Sequence, residues 1–289
     1  MYDCRRNKAM ASDFEYLIRF LDEEGKTRYG NLTEAKPAQD LIGFKVQVVQ
    51  GNLFAGLNVT AEEKTITKVL CPLDATPVFQ CIGVNYERHA RETNFNVPSQ
   101  PVVFTKPADS IAGPFDDIHV HPDAQSELDY EGELCFIFGK DCKDVTEDNA
   151  MECVLGYTIG NDLSARNYIP HEISGFQMSY GKSFDAFAPF GPYIVHQRIV
   201  GDPHQLQLTT KVNGEIRQNE NTSDMIWKIS QIIAHLTRGR TVRAGTVCMT
   251  GTPSGVGWFM KPKGYIKDGD KVEVSIEKLG LIENKICFF

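Results

Sequence analysis

The stretch Leu128-Asp129-Tyr130-Glu131-Gly132-Glu133-Leu134-Cys135-Phe136 sets acidic side chains at alternate positions just ahead of an apolar run. In an extended strand, residues two apart point to one face, so Glu131 and Glu133 project together, and Asp129 with them. Like charges gathered at the edge of a core repel each other and are poorly hydrated, and a divalent cation removes both costs. Oxygen-only ligands suit Mg²⁺, Mn²⁺ or Ca²⁺ rather than Zn²⁺. Taken alone, the pattern also fits the solvated face of an edge strand. A further carboxylate closes Gly156-Tyr157-Thr158-Ile159-Gly160-Asn161-Asp162, where an apolar strand runs straight into Asp162. That is a metal-ligand position, and equally a cap for a turn through Ser164-Ala165-Arg166.

Three other segments carry groups able to act on a ligand. Ser179-Tyr180-Gly181-Lys182-Ser183-Phe184 places a lysine between aromatic residues. Lys182 could meet a substrate carboxylate or serve as a base with a depressed pKa; the alternative is a stem packed on Phe184 with its head in water. Met249-Thr250-Gly251-Thr252-Pro253-Ser254-Gly255-Val256-Gly257 follows an apolar strand. Its glycines allow close backbone approach to a ligand and Thr252 offers a hydrogen bond, although a plain Gly/Pro turn has the same composition. It lacks the lysine of a phosphate-binding P-loop. Cys81 to Glu92 puts His89 and Glu92 three apart. On a helix they share a face, and a histidine held by a carboxylate is a general base or water activator. A surface ion pair is the plainer alternative.

The elements that must hold these groups are mostly strands. Residues 13–72 look like a small leading unit: Phe14 to Phe20 alternates partly as a half-buried strand does, Thr27 to Gly30 reads as its return, and Lys45 to Val49 is another strand. Pro72 and Pro77 mark a boundary, which predicts a small N-terminal domain over 1–72 and a catalytic domain over 73–289. In the second, Pro101 to Thr105, Leu134 to Gly139, Gly191 to Val195, Leu206 to Val212 and Lys271 to Ile276 read as strands. Asn213-Gly214 is a hairpin turn signal. Two helices are expected, Glu147 to Val154 after a Thr146 cap, and Asp224 to Leu236 with Ile226, Ile229, Ile233 and Leu236 at helical spacing. The fold class is β-rich α/β with non-local strand pairing.

Bulk properties bound the function. A chain of 289 residues with 42% hydrophobic and 24% charged residues is an ordinary globular protein with a real core. Its formal charge of −8 argues against nucleic acid or an anionic membrane as the main partner. No apolar run is long enough to cross a bilayer. Arg5, Arg6 and Lys8 could begin a mitochondrial presequence, but Asp3, Asp13 and Glu15 make it a poor one. The eight cysteines (Cys4, Cys71, Cys81, Cys135, Cys142, Cys153, Cys248 and Cys287) form no CxxC. They read as free thiols in a reducing compartment, so a cytoplasmic location is expected, with the mitochondrion as the alternative.

In this order, GVNYERHARE, LDYEGELCFIFG, GYTIGNDLSARN, GKSFDAFAPFGP, NGE and TGTPSGVG resemble the fumarylacetoacetate-hydrolase family, from about Phe79 to the C-terminus. Within it the chain is most similar to the branch that contains oxaloacetate tautomerases. The resemblance implies a mixed β-roll, usually a homodimer, with Mg²⁺ or Mn²⁺ held by Glu131, Glu133 and Asp162. It implies a His89–Glu92 dyad on a short lid helix, and contacts from Lys182 and Thr252 to the substrate or to the metal's water shell. Gly132 departs from the bulkier residue many members carry there, and glycine weakens a strand. The first 72 residues match less clearly, and no function is carried onto them.

The chemistry implied is that of a small 2-oxo acid chelated by the metal, which as a Lewis acid stabilises an enolate. Reprotonation gives tautomerisation, loss of CO₂ gives decarboxylation, and attack by water activated at His89 gives C–C hydrolysis. Tautomerisation of oxaloacetate is the expected outcome, because it needs only a metal, an acid and a base. C–C hydrolysis of an acylpyruvate or fumarylacetoacetate, or decarboxylation, is the enzymatic alternative. A degenerate, ligand-binding family member is the non-enzymatic one.

Overall fold

The computed structural model describes residues 14–175 and 177–289. The basic segment weighed above as a presequence, and Cys4, lie outside the described residues. The chain forms two facing sheets with little helix, the β-rich α/β class expected. In hydrogen-bonded order the large sheet runs Gly56–Thr65, Lys45–Asn52, Thr27–Leu32, Tyr16–Leu21, Ala188–Val195, Val154–Asn161, Gly132–Phe138, Val247–Met249, Phe79–Gly83 and Val102–Lys106. Within that path the Val247–Met249 and Phe79–Gly83 strands pair parallel, Met249 opposite Cys81. The second sheet has five strands, Glu215–Asn221, Gln207–Val212, Lys271–Ile276, Gly280–Phe288 and Ile118–Val120. The leading strands, placed above in a small unit ending at residue 72, extend the large sheet itself, with Tyr16 opposite Val195.

Alternation explains where the core sits. Every residue of Gly132–Phe138 is buried, so this strand is covered on both faces and its sequence is apolar without alternation. Leu134, Phe136 and Phe138 pack with Leu208, Val274 and Ile282 of the second sheet. Cys135 and Ile137 pack on the other side with Phe79, Phe190, Ile194 and the leading Leu17. Gly132 shares parity with the first set and faces the second sheet. A Cβ there would lie 2.2 Å from Thr210 Oγ1 and 3.0 Å from Val274 Cγ1. Glycine at this position is therefore what lets the two sheets approach, and not simply a weak point in a strand.

Local differences from the sequence pattern have local causes. The expected Asn213-Gly214 turn is present, with both residues at positive φ, 52° and 82°. Residues 147–153 form a 3₁₀ helix whose first turn is closed by Asn149 Oδ1, which accepts from the Thr146 N–H. The helix expected from Asp224 begins only at Ile229 and ends at Thr237. The N–H of Ile226 donates to Asn85 O, and that of Trp227 to Asn85 Oδ1, both at 2.8 Å. These bonds keep Ile226 and Trp227 out of the helix, a long-range constraint that helical periodicity cannot register.

Candidate active site

The functional groups converge because several strands end on one side of the large sheet. Gly132 pairs with Asn161 and Glu133 with Gly160. Glu131 and Asp162 therefore sit one residue beyond a paired position on adjacent strands. The acidic stretch is not one continuous strand. Leu128–Asp129 pairs with Ser164–Ala165 in a two-stranded ribbon, and regular pairing with Val154–Asn161 begins at Gly132. Glu131 falls at the break between them, pinned by its N–H to Asn161 Oδ1 at 2.9 Å.

Glu131, Glu133 and Asp162 each offer an oxygen within 4.8 Å of the others, and all are buried. Neither alternative drawn from the sequence survives: the carboxylates are not on a solvated edge, and Asp162 does not cap a turn. Its side chain accepts instead from Lys182 Nζ at 2.8 Å and from Lys106 Nζ. Lys182 Nζ also donates to Glu131 Oε2 at 2.8 Å and to Ser164 Oγ at 2.7 Å. Lys182 is 2% exposed and lies 5.0 Å from the centre of the Phe104 ring, so its head is not in water. Arg166 Nη2 donates to Glu131 Oε1 at 2.6 Å and its Nε to Asp129 Oδ2 at 2.8 Å.

These pairings divide the carboxylates electrostatically. Burial alone would raise the Glu131 carboxyl, but Lys182 and Arg166 outweigh it and hold it at about 2. For Glu133, burial again comes first, and the charges of Asp162 and Glu131 add to it, so its pKa is pushed well above the carboxylate range. The Gly251 N–H, 2.6 Å from its Oε2, and after it the charge of Lys182, oppose the rise without reversing it. Lys182 is pulled the opposite way from a catalytic base. Burial would lower it, but Asp162 and Glu131 outweigh burial and raise it, so it is a fixed ammonium.

The donor set fits a hard divalent cation. It is all oxygen and wholly buried, and one carboxylate, Glu133, has no ion-pair partner among the described residues. With Asp129 included, four carboxylates face three cations, Lys106, Lys182 and Arg166. With Glu133 holding its proton, the other three carboxylates balance the three cations, and a divalent ion that displaced that proton would leave one positive charge in excess.

His89 and Glu92 lie on the helix Glu87–Thr93, as their spacing suggested. His89 Nδ1 is 2.8 Å from Glu92 Oε2, and His89 is 7% exposed, so this is not a surface ion pair. Glu92 Oε1 in turn accepts from the Gly255 N–H at 3.0 Å, which ties the helix to the 250–257 loop. The His89 ring meets Phe259 edge-on at 6.0 Å. A cavity of about 300 Å³ lies between this helix and the carboxylate floor. Glu131, Arg166, Lys182, Thr252 and His89 reach it, and most of its remaining wall is apolar, including Phe95, Phe104, Met178, Trp258 and Phe259.

All seven residues singled out from the sequence thus meet around one cavity or just beneath it. Those missed are Lys106, Arg166 and Gln218, while Asp129, expected beside the two glutamates, serves as the partner of Arg166. Arg166 and Asp129 stood in quoted motifs, but their bond to each other depends on the ribbon that pairs the two segments. Lys106 and Gln218 gave no signal, being a lone lysine and a lone glutamine in ordinary strands.

Fold and site together define an enzyme with a buried acid–base centre on a mixed β-roll. Residues 79–287 match the family model described as fumarylacetoacetate (FAA) hydrolase C-terminal, and the chain belongs to the fumarylacetoacetate hydrolase family. It is 42% identical over 218 residues, 75% of this chain and 68% of the relative, to a Xenopus laevis protein named oxaloacetate tautomerase fahd2, mitochondrial. A solved structure described as 2-hydroxyhepta-2,4-diene-1,7-dioate isomerase from Mycobacterium marinum superposes with a TM-score of 0.80 at 32% identity, covering 95% of this chain and 98% of that one. A fumarylacetoacetate hydrolase from Exiguobacterium antarcticum does so at 0.76 and 36%, covering 95% and 99%.

Proposed function

We propose that this enzyme interconverts the enol and keto forms of oxaloacetate and requires a divalent metal, Mg²⁺ or Mn²⁺. The observation that carries the reading is the placement of a buried His89–Glu92 dyad across one cavity from a carboxylate floor rich in paired cations. The tautomerase name of a 42% identical relative supports it.

Glu131, Glu133 and Asp162 would hold the metal, which when bound supplies Lewis-acid polarisation of a 2-oxo acid. Lys182 and Arg166 add fixed positive charge beside the floor, so a dianion is drawn in and oriented. Thr252, on the wall, contributes a hydrogen bond to a substrate oxygen. His89 moves the proton at C3. Its Nδ1 is engaged by Glu92, which fixes the tautomer and leaves Nε2 to take up or give back the proton. The apolar wall excludes water, which strengthens every charge interaction on the floor.

The test follows enol-oxaloacetate absorbance and pyruvate release together, with purified protein, before and after metal removal. Metal-dependent loss of the enol signal without pyruvate supports tautomerisation. Pyruvate formed at the rate of enol loss means decarboxylation. One observation favours a second reading, C–C hydrolysis of an acylpyruvate: the apolar wall exceeds what oxaloacetate, a small dianion, can cover. Rapid acylpyruvate cleavage with no enol–keto acceleration would make that the better account.

We also propose a homodimer, checked by mass measurement in solution against the 32.4 kDa chain. The relative's name favours the mitochondrial alternative over the cytoplasmic expectation, and an import assay with isolated mitochondria tests it. Cys71, Cys81, Cys135, Cys153, Cys248 and Cys287 are free thiols, compatible with either compartment. No helix among the described residues is long and apolar enough to cross a membrane.

A further inference from the structure

Gln218 lies on Glu215–Asn221 in the second sheet, outside every segment that carries the chemistry, yet it is fully buried beneath the cavity. Its Oε1 accepts from the Gly132 N–H at 2.9 Å. Its Nε2 donates to Thr252 Oγ1 at 2.7 Å and to Pro253 O at 2.9 Å. The orientation of this amide is decided by its partners. A flipped amide would set its NH₂ against the Gly132 N–H and its oxygen against the Pro253 carbonyl, two repulsions in place of two bonds.

Because Gln218 must donate, Thr252 Oγ1 must accept, and the hydroxyl proton has to point elsewhere. One place is Gly132 O, 3.0 Å away. The other is the cavity, which Thr252 lines. A hydroxyl that accepts one hydrogen bond is polarised into a stronger donor for the next.

We propose that Gln218 is a positioning residue that holds the Thr252 hydroxyl as a hydrogen-bond donor to substrate oxygen. The proton turns from Gly132 O to the substrate on binding, and it cannot turn to Gln218. The same amide also ties the backbone between Glu131 and Glu133 to the Thr252 loop, which sets the distance between the floor and the wall. The proposal rests on the reading of the cavity as a 2-oxo acid site.

The discriminating variant is Gln218→Glu, which keeps the shape. Protonated, the new carboxyl can still accept from Gly132 and donate to Thr252. Ionised, it only accepts, captures the Thr252 proton and removes the donor from the substrate. The readouts are the dissociation constant for oxalate, by calorimetry on the metal-loaded protein, and KM and kcat for enol-oxaloacetate, each across a pH series. Oxalate binding is expected to weaken about tenfold relative to wild type at the alkaline end. The deficit should shrink toward acid pH, and KM should move more than kcat. In a Thr252→Val background the same change should add no further loss.

A pH-independent loss, additive with Thr252→Val, would reduce Gln218 to a structural tie between the sheets and overturn the proposal, as would unchanged binding in a folded Gln218→Glu. Should that variant not fold, Gln218→Met is carried through the same cycle, where additivity again overturns it. Wild-type protein that binds oxalate but does not accelerate enol–keto exchange would sink the tautomerase reading, while the oxalate cycle still decides the role of Gln218.

Discussion

The floor and the lid of the cavity are held in opposite ways. On the floor, Glu131, Asp162, Lys182, Arg166 and Asp129 are locked by ion pairs no longer than 2.8 Å, all buried, and each group touches at least two partners. The lid helix is seven residues long and ends at Asn94 in a left-handed conformation. It is fastened to the 250–257 loop through the Glu92–Gly255 bond and to the 220–224 segment through Arg88, whose N–H donates to Asp224 Oδ2 and whose Nη1 donates to Glu220 Oε2, and Phe95 just beyond it is 59% exposed. A buried network of this kind is costly to assemble and rigid once made, because removing any member strands a charge. The short helix is held by single hydrogen bonds and by an ion pair from the exposed Arg88, ties that cost less to break than a buried charge network. The contrast teaches that charge is preorganised on the floor, while the His89–Glu92 pair sits on the part held by fewer and weaker ties.

The largest effect should come from breaking the floor. Glu131→Gln removes a proposed metal ligand and the shared partner of Lys182 and Arg166. A loss of about a thousandfold or more in kcat/KM is expected, with a lower Tm. Wild-type activity after thorough chelation, with none regained on adding Mg²⁺ or Mn²⁺, would remove the metal from the account. Breaking the lid should act differently. For His89→Ala we expect kcat to fall about a hundredfold or more with a smaller change in KM. A raised KM at constant kcat would make the dyad a binding element only.

The smallest effect is on stability, and it separates two neighbours on the floor. Glu133 holds its proton in the native protein to a higher pH than its ordinary value of 4.5 allows. Its contribution to stability is therefore present below that value and is lost as pH rises through the raised native one. Glu131, held at about 2, has the opposite sign: its contribution is present above 4.5 and is lost as pH falls through about 2. Metal-free Glu133→Gln should accordingly melt higher than wild type at neutral pH, by about 2–4 °C for each kcal/mol of relieved charge burial. Metal-free Glu131→Gln should melt lower. Thermal melts of both variants in chelator check this, and a shift of the same sign in both would break the distinction. If the ion is held as proposed, metal affinity should also rise with pH, since the ion would have to displace the Glu133 proton.

The sequence by itself determined which groups could be brought together as a candidate site. The alternation of Glu131 and Glu133, the carboxylate at the end of an apolar strand and the three-residue spacing of His89 and Glu92 are short-range patterns set by strand and helix periods. So were most strands and the Asn213-Gly214 turn. Tertiary structure decided everything that depends on non-local pairing. The ribbon between 128–129 and 164–165 aims Arg166 at Glu131 and Asp129. Burial turned Lys182 from a candidate base into a fixed cation, because two carboxylates from separate strands meet it there. Asn85 shortened a helix 142 residues away. Lys106 and Gln218 entered the site from strands whose own sequence is unremarkable. Sequence period fixes which face a side chain takes, but the charge state of a buried group is set by neighbours that only the folded chain brings within hydrogen-bond reach.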